Sequence, residues 1–221
     1  VIYQNNDFGK GGRDTLAKLL AGGPTSIVAE IATDQAQVDF SAAVLKAKQA
    51  NADALFVYLT EEESARCLRE LRKQGWTKPI IGETVLISQK VIELAGDAAN
   101  GATGHVGLTV DAPNDGILKF KAKFYQAYKY IPDHNGIKGY MGVYTFKAAV
   151  EKAGKLDRKA VAQAMKGLVV KAAKEPGVIV DVAFDDKGDL DRESYLVEVK
   201  NGRQVVVQTL PALKDMLAGK K

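Results

Sequence analysis

The chain is poor in the residues that build covalent and metal chemistry. Among 221 residues there is one cysteine, Cys67, and there are two histidines, His105 and His134. No intramolecular disulfide can form, and neither CxxC nor HExxH spacing occurs. Charge of one sign is also lacking. Thirty-one Lys and Arg face 27 Asp and Glu, a formal +4, and only Gly219, Lys220 and Lys221 make a basic end. Nucleic acid is therefore not the expected partner. The longest apolar runs, such as Ala54 to Leu59, fall far short of the ~20 residues of a membrane helix, so no direct membrane insertion is expected. What the chain does have is 46% hydrophobic residues, enough to bury a sizeable core in one large domain or two small ones.

The apolar pattern gives an α/β chain. Strand Val1 to Tyr3 leads to a helix at Gly9 to Ala21, and strand Ser26 to Ala32 to a helix near Phe40 to Ala50, with Asp39 as its cap. Strand Ala54 to Leu59 leads to a helix at Glu61 to Gln74, where Thr60 and Glu63 have capping-box spacing and Gly75 stops the helix. Cys67 lies beside Leu68 and Leu71 on the apolar stripe of that helix and reads as structural. Strand Pro79 to Ile81, a short helix Ser88 to Ala95 and strand Val106 to Val110 follow. Alternation of this kind predicts a parallel sheet flanked by helices. Three helices come next with no strand between them, at Asp115 to Tyr130, Gly136 to Ala153 and Arg158 to Leu168, within a helical subregion from Asp111 to Lys171. Strands return after Val178, and Asn201-Gly202 marks a hairpin.

Ligands of open α/β sheets sit outside the carboxyl ends of strands. Three loops qualify: Gln4 to Gly9, Thr60 to Glu63 and Glu83 to Leu86. Gly9, Gly11 and Gly12 lack both GxGxxG and the Walker ending, so nucleotide binding is not expected. FDDKGDL at Phe184 to Leu190 lacks the acid alternation of an EF-hand and reads as a tight turn with Gly188 at positive φ. Glu61, Glu62 and Glu63 read as a solvated charge run favourable to the helix dipole. No acid/base pair, nucleophile or metal cluster emerges, so no cofactor and no catalysis are expected.

Five segments resemble, in order and spacing, the solute-binding proteins of branched-chain amino acid type uptake systems. They are VDFSAAVLKAKQANADALFVY (Val38 to Tyr58), LRKQGWTKPIIGE (Leu71 to Glu83), ELAGDAANG (Glu93 to Gly101), YTFKAAVEKAG (Tyr144 to Gly154) and FDDKGDL. The resemblance implies the type I periplasmic binding protein fold, two lobes closing on a small-molecule ligand, an ABC transporter permease as partner and a periplasmic location. Against that pattern a long N-terminal segment is missing. One nearly complete lobe is then expected from 1–108 with 178–221, and a helical remnant of the other from 109–177. Phe120, Phe124, Tyr128 and Phe146 of the remnant would form an apolar patch prone to self-association.

The resemblance also puts Phe8, Thr60 and Thr84 at the ligand positions. Phe8 keeps an aromatic wall without a hydroxyl. Thr84 is not the acid that would hold an ammonium, although Glu83 is adjacent. Either Glu83 turns inward, or the ligand is an aromatic acid, an amide or another solute rather than an α-amino acid. Beside these readings stand simpler ones: Phe8 as a core aromatic, Thr60 as a helix cap, Thr84 as a turn residue, and Tyr144 packed with Phe146 and Val150. A sensory ligand-binding domain of the same fold is the remaining alternative.

Overall fold

The computed structural model describes residues 1–212, so the expected basic end at 219–221 lies outside the described residues. The chain forms two compact units, Val1–Val106 with Leu196–Val207, and Gly107–Tyr195 with the segment from Gln208.

The first unit runs β1 (Ile2–Gln4), α1 (Asp7–Leu20), β2 (Ile31–Thr33), α2 (Ser41–Gln49), β3 (Leu55–Tyr58), α3 (Glu61–Lys73), β4 (Ile80–Gly82), α4 (Gln89–Ala95), a 3-10 turn (Gly96–Ala99) and β5 (Ala102–Val106). These five strands are parallel, with Ile2 opposite both Ile31 and Val57, and Ile80 opposite both Leu55 and Ala102. Later strands β8 (Ser194–Lys200) and β9 (Arg203–Leu210) extend the sheet, giving the order β2-β1-β3-β4-β5-β8-β9. Asn201 and Gly202 both take positive φ (50° and 73°), the two left-handed residues a type I′ hairpin requires. The apolar positions follow the pleat. Leu55 and Val57 are buried, while Phe56 and Tyr58 point to the other face. Val44, Ala47, Leu68, Leu71, Val91 and Ile92 of α2, α3 and α4 complete the core. At the end of α3, Gly75 N–H bonds the Arg72 carbonyl and Trp76 N–H the Leu71 carbonyl, the paired bonds of a Schellman stop.

Several sequence expectations need correction. Ser26 to Glu30 is not strand; β2 pairs with β1 only over Ile31–Thr33. The strand expected at Val106 to Val110 is β5, displaced to Ala102–Val106. Its small residues hide the β pattern, and Gly104 has no room for a side chain because a Cβ would lie 2.7 Å from Ile87 Cγ1. Thr60 and Glu63 form no capping box, since the Thr60 side chain makes no cap bond and Glu63 is engaged elsewhere. Asp39 acts one position early: Phe40 is the N-cap of α2, and Asp39 Oδ1 accepts from Ser41 N–H at 2.8 Å.

The second unit holds α5 (Asp115–Tyr128), α6 (His134–Ala153) and α7 (Arg158–Met165), capped by the side chains of Asn114, Asp133 and Asp157. The expected absence of strands over Asp115 to Leu168 agrees with this. The helical subregion ends sooner than Lys171, because β6 (Val169–Val170) pairs antiparallel with β7 (Val182–Ala183) after a 3-10 turn at Pro176–Val178. A two-stranded ribbon thus belongs to this unit. FDDKGDL is a tight turn: Phe184 bridges Leu190, Asp185 Oδ1 accepts from Lys187 N–H (2.9 Å) and Asp189 N–H (2.8 Å), and Gly188 has φ 95°. Those bonds hold the Asp185 carboxyl below its usual pKa. Tyr144 does not pack with Phe146 and Val150 as expected. Residues two apart do not share a helix face, and its ring lies over Gly177, where a Cβ would come within 2.2 Å. Along α5, the rings of Phe120, Phe124 and Tyr128 pack in sequence at a tilt (5.7 and 4.6 Å between centroids), and Tyr140 of α6 joins Phe120 at 5.0 Å.

Candidate ligand-binding site

The strand order 2-1-3-4-5 places a topological switch between β1 and β3, where crossovers leave in opposite directions and a crevice opens at the carboxyl edge. The loop from β1 into α1 is tight. Asn6 caps the helix by accepting from Gly9 N–H at 2.9 Å, and a Cβ on Gly9 would lie 1.9 Å from the Gln4 carbonyl oxygen. Only glycine allows the helix to start that close to the strand.

Phe8, in the first turn of α1, is 41% exposed and stacks on Tyr58 at the end of β3, with centroids 4.5 Å apart and planes at 28°. The reading of Phe8 as a core aromatic fails on that exposure. Tyr58 in turn lies against α1, where a Cβ on Gly12 would come 2.4 Å from its ring, whereas one on Gly11 would meet nothing within 4 Å. The glycine cluster thus provides clearance for a strand carbonyl and an aromatic ring. Phe8, Gly12, Leu16, Phe56 and Tyr58 line a groove of about 470 Å³.

Burial, and then the negative charge of Glu83, raise the Tyr58 hydroxyl above its usual pKa. Glu83 Oε1 accepts from Val85 N–H at 2.8 Å, which fixes the turn after β4. Thr84 donates its hydroxyl to the His105 carbonyl at 3.0 Å, tying the same turn to the end of β5. Thr60 is the N-cap residue of α3, but its side chain does not cap. Phe8 and Tyr58 are thus brought together, whereas Thr60, Glu83 and Thr84 do not line their groove; the Thr60 side chain makes no cap bond, and the Glu83 and Thr84 side chains bond backbone groups.

Tyr58 and Glu63 were not singled out from the sequence as site residues. The LFVY alternation gives the only hint of Tyr58, since it sets Phe56 and Tyr58 on one face. Glu63 is not part of a solvated run. It is 4% exposed and accepts from Ala36 N–H (2.7 Å) and from Gln4 Nε2 (3.3 Å), and Gln4 is itself 1% exposed. One buried carboxylate thus joins β1, the loop after β2 and the start of α3. Those bonds and the positive end of α3 offset its desolvation. Among the described residues no group of three or more His, Cys, Asp or Glu could hold a metal ion, and no helix is long and apolar enough to cross a membrane.

Residues 1–204 match the family model for periplasmic binding proteins. The chain belongs to the periplasmic binding protein family. Among its relatives is Leu/Ile/Val-binding protein homolog 1 of Brucella abortus (strain 2308), 26% identical over 202 residues, which cover 89% of this chain and 52% of the relative. The chain thus spans about half the length of the curated relatives it matches. Among solved structures, a leucine binding protein from Thermotoga maritima superposes with a TM-score of 0.79 at 22% identity, covering 97% of this chain and 61% of that one. An ABC transporter solute-binding protein from R. palustris, solved in complex with benzoate, gives 0.84 at 20% identity, covering 96% and 58%. These likenesses carry the expected fold: a mostly parallel sheet flanked by helices, as in type I periplasmic binding proteins, with part of the relatives' lobes covered.

Proposed function

We propose that the protein captures a small solute at the carboxyl edge of β1, β3 and β4 and delivers it to an ABC transporter permease from the periplasm. The observation that carries this reading is the exposed aromatic shelf, Phe8 stacked on Tyr58, at the β1/β3 switch point, with Glu83 on the turn after the neighbouring strand β4. Aromatic surface, hydroxyls and one acid suit binding and orientation rather than turnover. In this reading the unit of Val1–Val106 with Leu196–Val207 furnishes the lobe that carries the site, and Gly107–Tyr195 belongs to the second lobe; the stretch 178–195, expected with the first lobe, falls in the helical unit, where Val182 and Ala183 pair with β6. A sensory domain with the same site would differ in its partner, not in this chemistry.

For the solute, the first reading is a branched-chain or related amino acid, whose ammonium Glu83 would hold. The relatives' names support it. The second is an aromatic acid, favoured by the Phe8–Tyr58 stack, by Thr84 standing where an acid is expected, and by the benzoate of the R. palustris protein. Calorimetry on the full-length protein separates them. Glu83→Gln keeps an Oε1 acceptor for Val85 N–H while removing the charge. It should weaken leucine binding by about 1.5–3 kcal/mol and leave benzoate binding unchanged or tighter. Loss of neither ligand with Phe8→Ala would refute the site itself.

The aromatic face of α5 with Tyr140 of α6, that is Phe120, Phe124 and the exposed Tyr128 and Tyr140, is the proposed surface for self-association of this 221-residue chain; Phe146, expected in the same patch, lines a different cavity. Sedimentation that stays monomeric at high concentration would refute that.

A further inference from the structure

The helical unit contains a cavity that the solute site does not use. It measures about 330 Å³, and its walls include Met141 and Phe146 of α6, Met165 of α7, and Phe184 and Leu190 from the two ends of the FDDKGDL turn. The antiparallel bridge between Phe184 and Leu190 holds both on the cavity, which gives that turn a role beyond reversing the chain. Arg192, Lys138 and Thr145 are the polar residues of this otherwise apolar lining.

Several other arginines are committed. Arg13 pairs with Glu30, and Arg72 donates to the carbonyls of Ala98, Trp76 and Asn100. Arg192 is half-buried and has no hydrogen bond or ion pair among the described residues. Burial lowers its pKa, so the guanidinium is desolvated without a carboxylate to compensate it. Lys138, which also lines the cavity, has a partner of its own. A mostly apolar cavity of this size with a few polar groups, of which Thr145 bonds the Met141 carbonyl within α6, is the usual form of a small-molecule site.

We propose that this cavity binds an apolar monocarboxylate, with the carboxylate paired to the Arg192 guanidinium and the hydrocarbon body against Met141, Met165 and Phe184. The planar fork of arginine matches a carboxylate in two parallel bonds, and one free cation sets one negative charge. At about 30 Å³ per non-hydrogen atom, the share of a water molecule in the liquid, the volume corresponds to a ligand of about ten such atoms. Octanoate has that size. The inference stands apart from the solute site and does not depend on it.

The test uses the full-length protein and octanoate, with octan-1-ol as the uncharged control. Calorimetry should show octanoate binding that Arg192→Gln weakens about tenfold to a hundredfold and Arg192→Lys weakens less. Phe8→Ala should leave it unchanged. Should Arg192→Gln misfold, Gly142→Leu gives a second handle. Gly142 lines the cavity from within α6, and a Cβ there meets nothing within 4 Å. A leucine side chain should fill the space, keep the fold and abolish octanoate binding. The proposal is overturned if octanoate does not bind, if octanol binds as tightly, if folded Arg192→Gln retains full affinity, or if Gly142→Leu still binds.

Discussion

Two adjacent glycines of α1 offer a paired test of how the aromatic shelf is built. Both lie inside a helix, where replacing glycine by alanine gains roughly 0.5–1 kcal/mol of backbone entropy. At Gly11 a Cβ meets nothing within 4 Å, so that gain should appear undiminished. At Gly12 the same Cβ would sit 2.4 Å from Tyr58 Cε1 and 2.6 Å from Cδ1 and Cζ. Tyr58 cannot retreat freely, because Phe8 stacks on it at 4.5 Å and Phe56 lies 6.0 Å away on the same face. Forcing the ring aside is an overpacking change of about 1–3 kcal/mol. Since the entropy gain is common to both variants, their difference isolates the steric cost. Gly12→Ala should melt below Gly11→Ala by at least about 4 °C, taking about 4–8 °C per kcal/mol for a small unit. Thermal unfolding followed by circular dichroism measures this. Equal melting temperatures, or a Gly12→Ala variant above Gly11→Ala, would mean that Tyr58 is not held against the helix and that the shelf is not built as described.

Other consequences are simpler to state. Glu63→Ala leaves Ala36 N–H and Gln4 Nε2 without their acceptor and should cost about 1–3 kcal/mol in urea unfolding, whereas Glu62→Ala should stay within about 0.5 kcal/mol of the parent. Burial pushes the Cys67 thiol up to about 12 from 9.0, so iodoacetamide at pH 8 should label unfolded protein and spare the folded form. The neutral thiol favours the folded state below pH 9, and that contribution should be lost as pH rises from 9 toward about 12. His134 is held below its usual 6.5, chiefly by burial and then by Lys138, so its folded form prefers to be neutral. Its contribution is present above pH 6.5 and lost as pH falls below it; His134→Gln should flatten that acid limb in pH-dependent melting.

The parallel sheet, the helices and the hairpin were legible because each rests on a local signal: pleat alternation, a 3.6-residue stripe, or a turn dipeptide such as Asn201-Gly202. The losses were long-range. β5 was expected four residues late, at Val106 to Val110, because Gly104 is dictated by Ile87 from another segment, not by strand propensity. Glu63 looked solvated because its partners, Gln4 and Ala36, lie 59 and 27 residues away. At the candidate site the sequence pointed to Phe8, Thr60, Glu83 and Thr84. Three-dimensional packing added Tyr58, whose importance depends on a glycine one helix away, and it engaged the Thr84 hydroxyl with a carbonyl of β5. Which loops border the carboxyl edge of the sheet follows from topology alone; which atoms stay free in them depends on hydrogen bonds that no spacing encodes.

The central claim is that the solute sits at the carboxyl edge of β1, β3 and β4. The most direct measurement is a crystal structure of the full-length protein purified with whatever small molecule accompanies it, the molecule being identified in parallel by native mass spectrometry. The account predicts electron density for the solute against the Phe8 ring, within hydrogen-bond distance of the Thr60 hydroxyl or the Glu83 carboxylate. A bound solute contacting none of Phe8, Thr60 and Glu83 would contradict it.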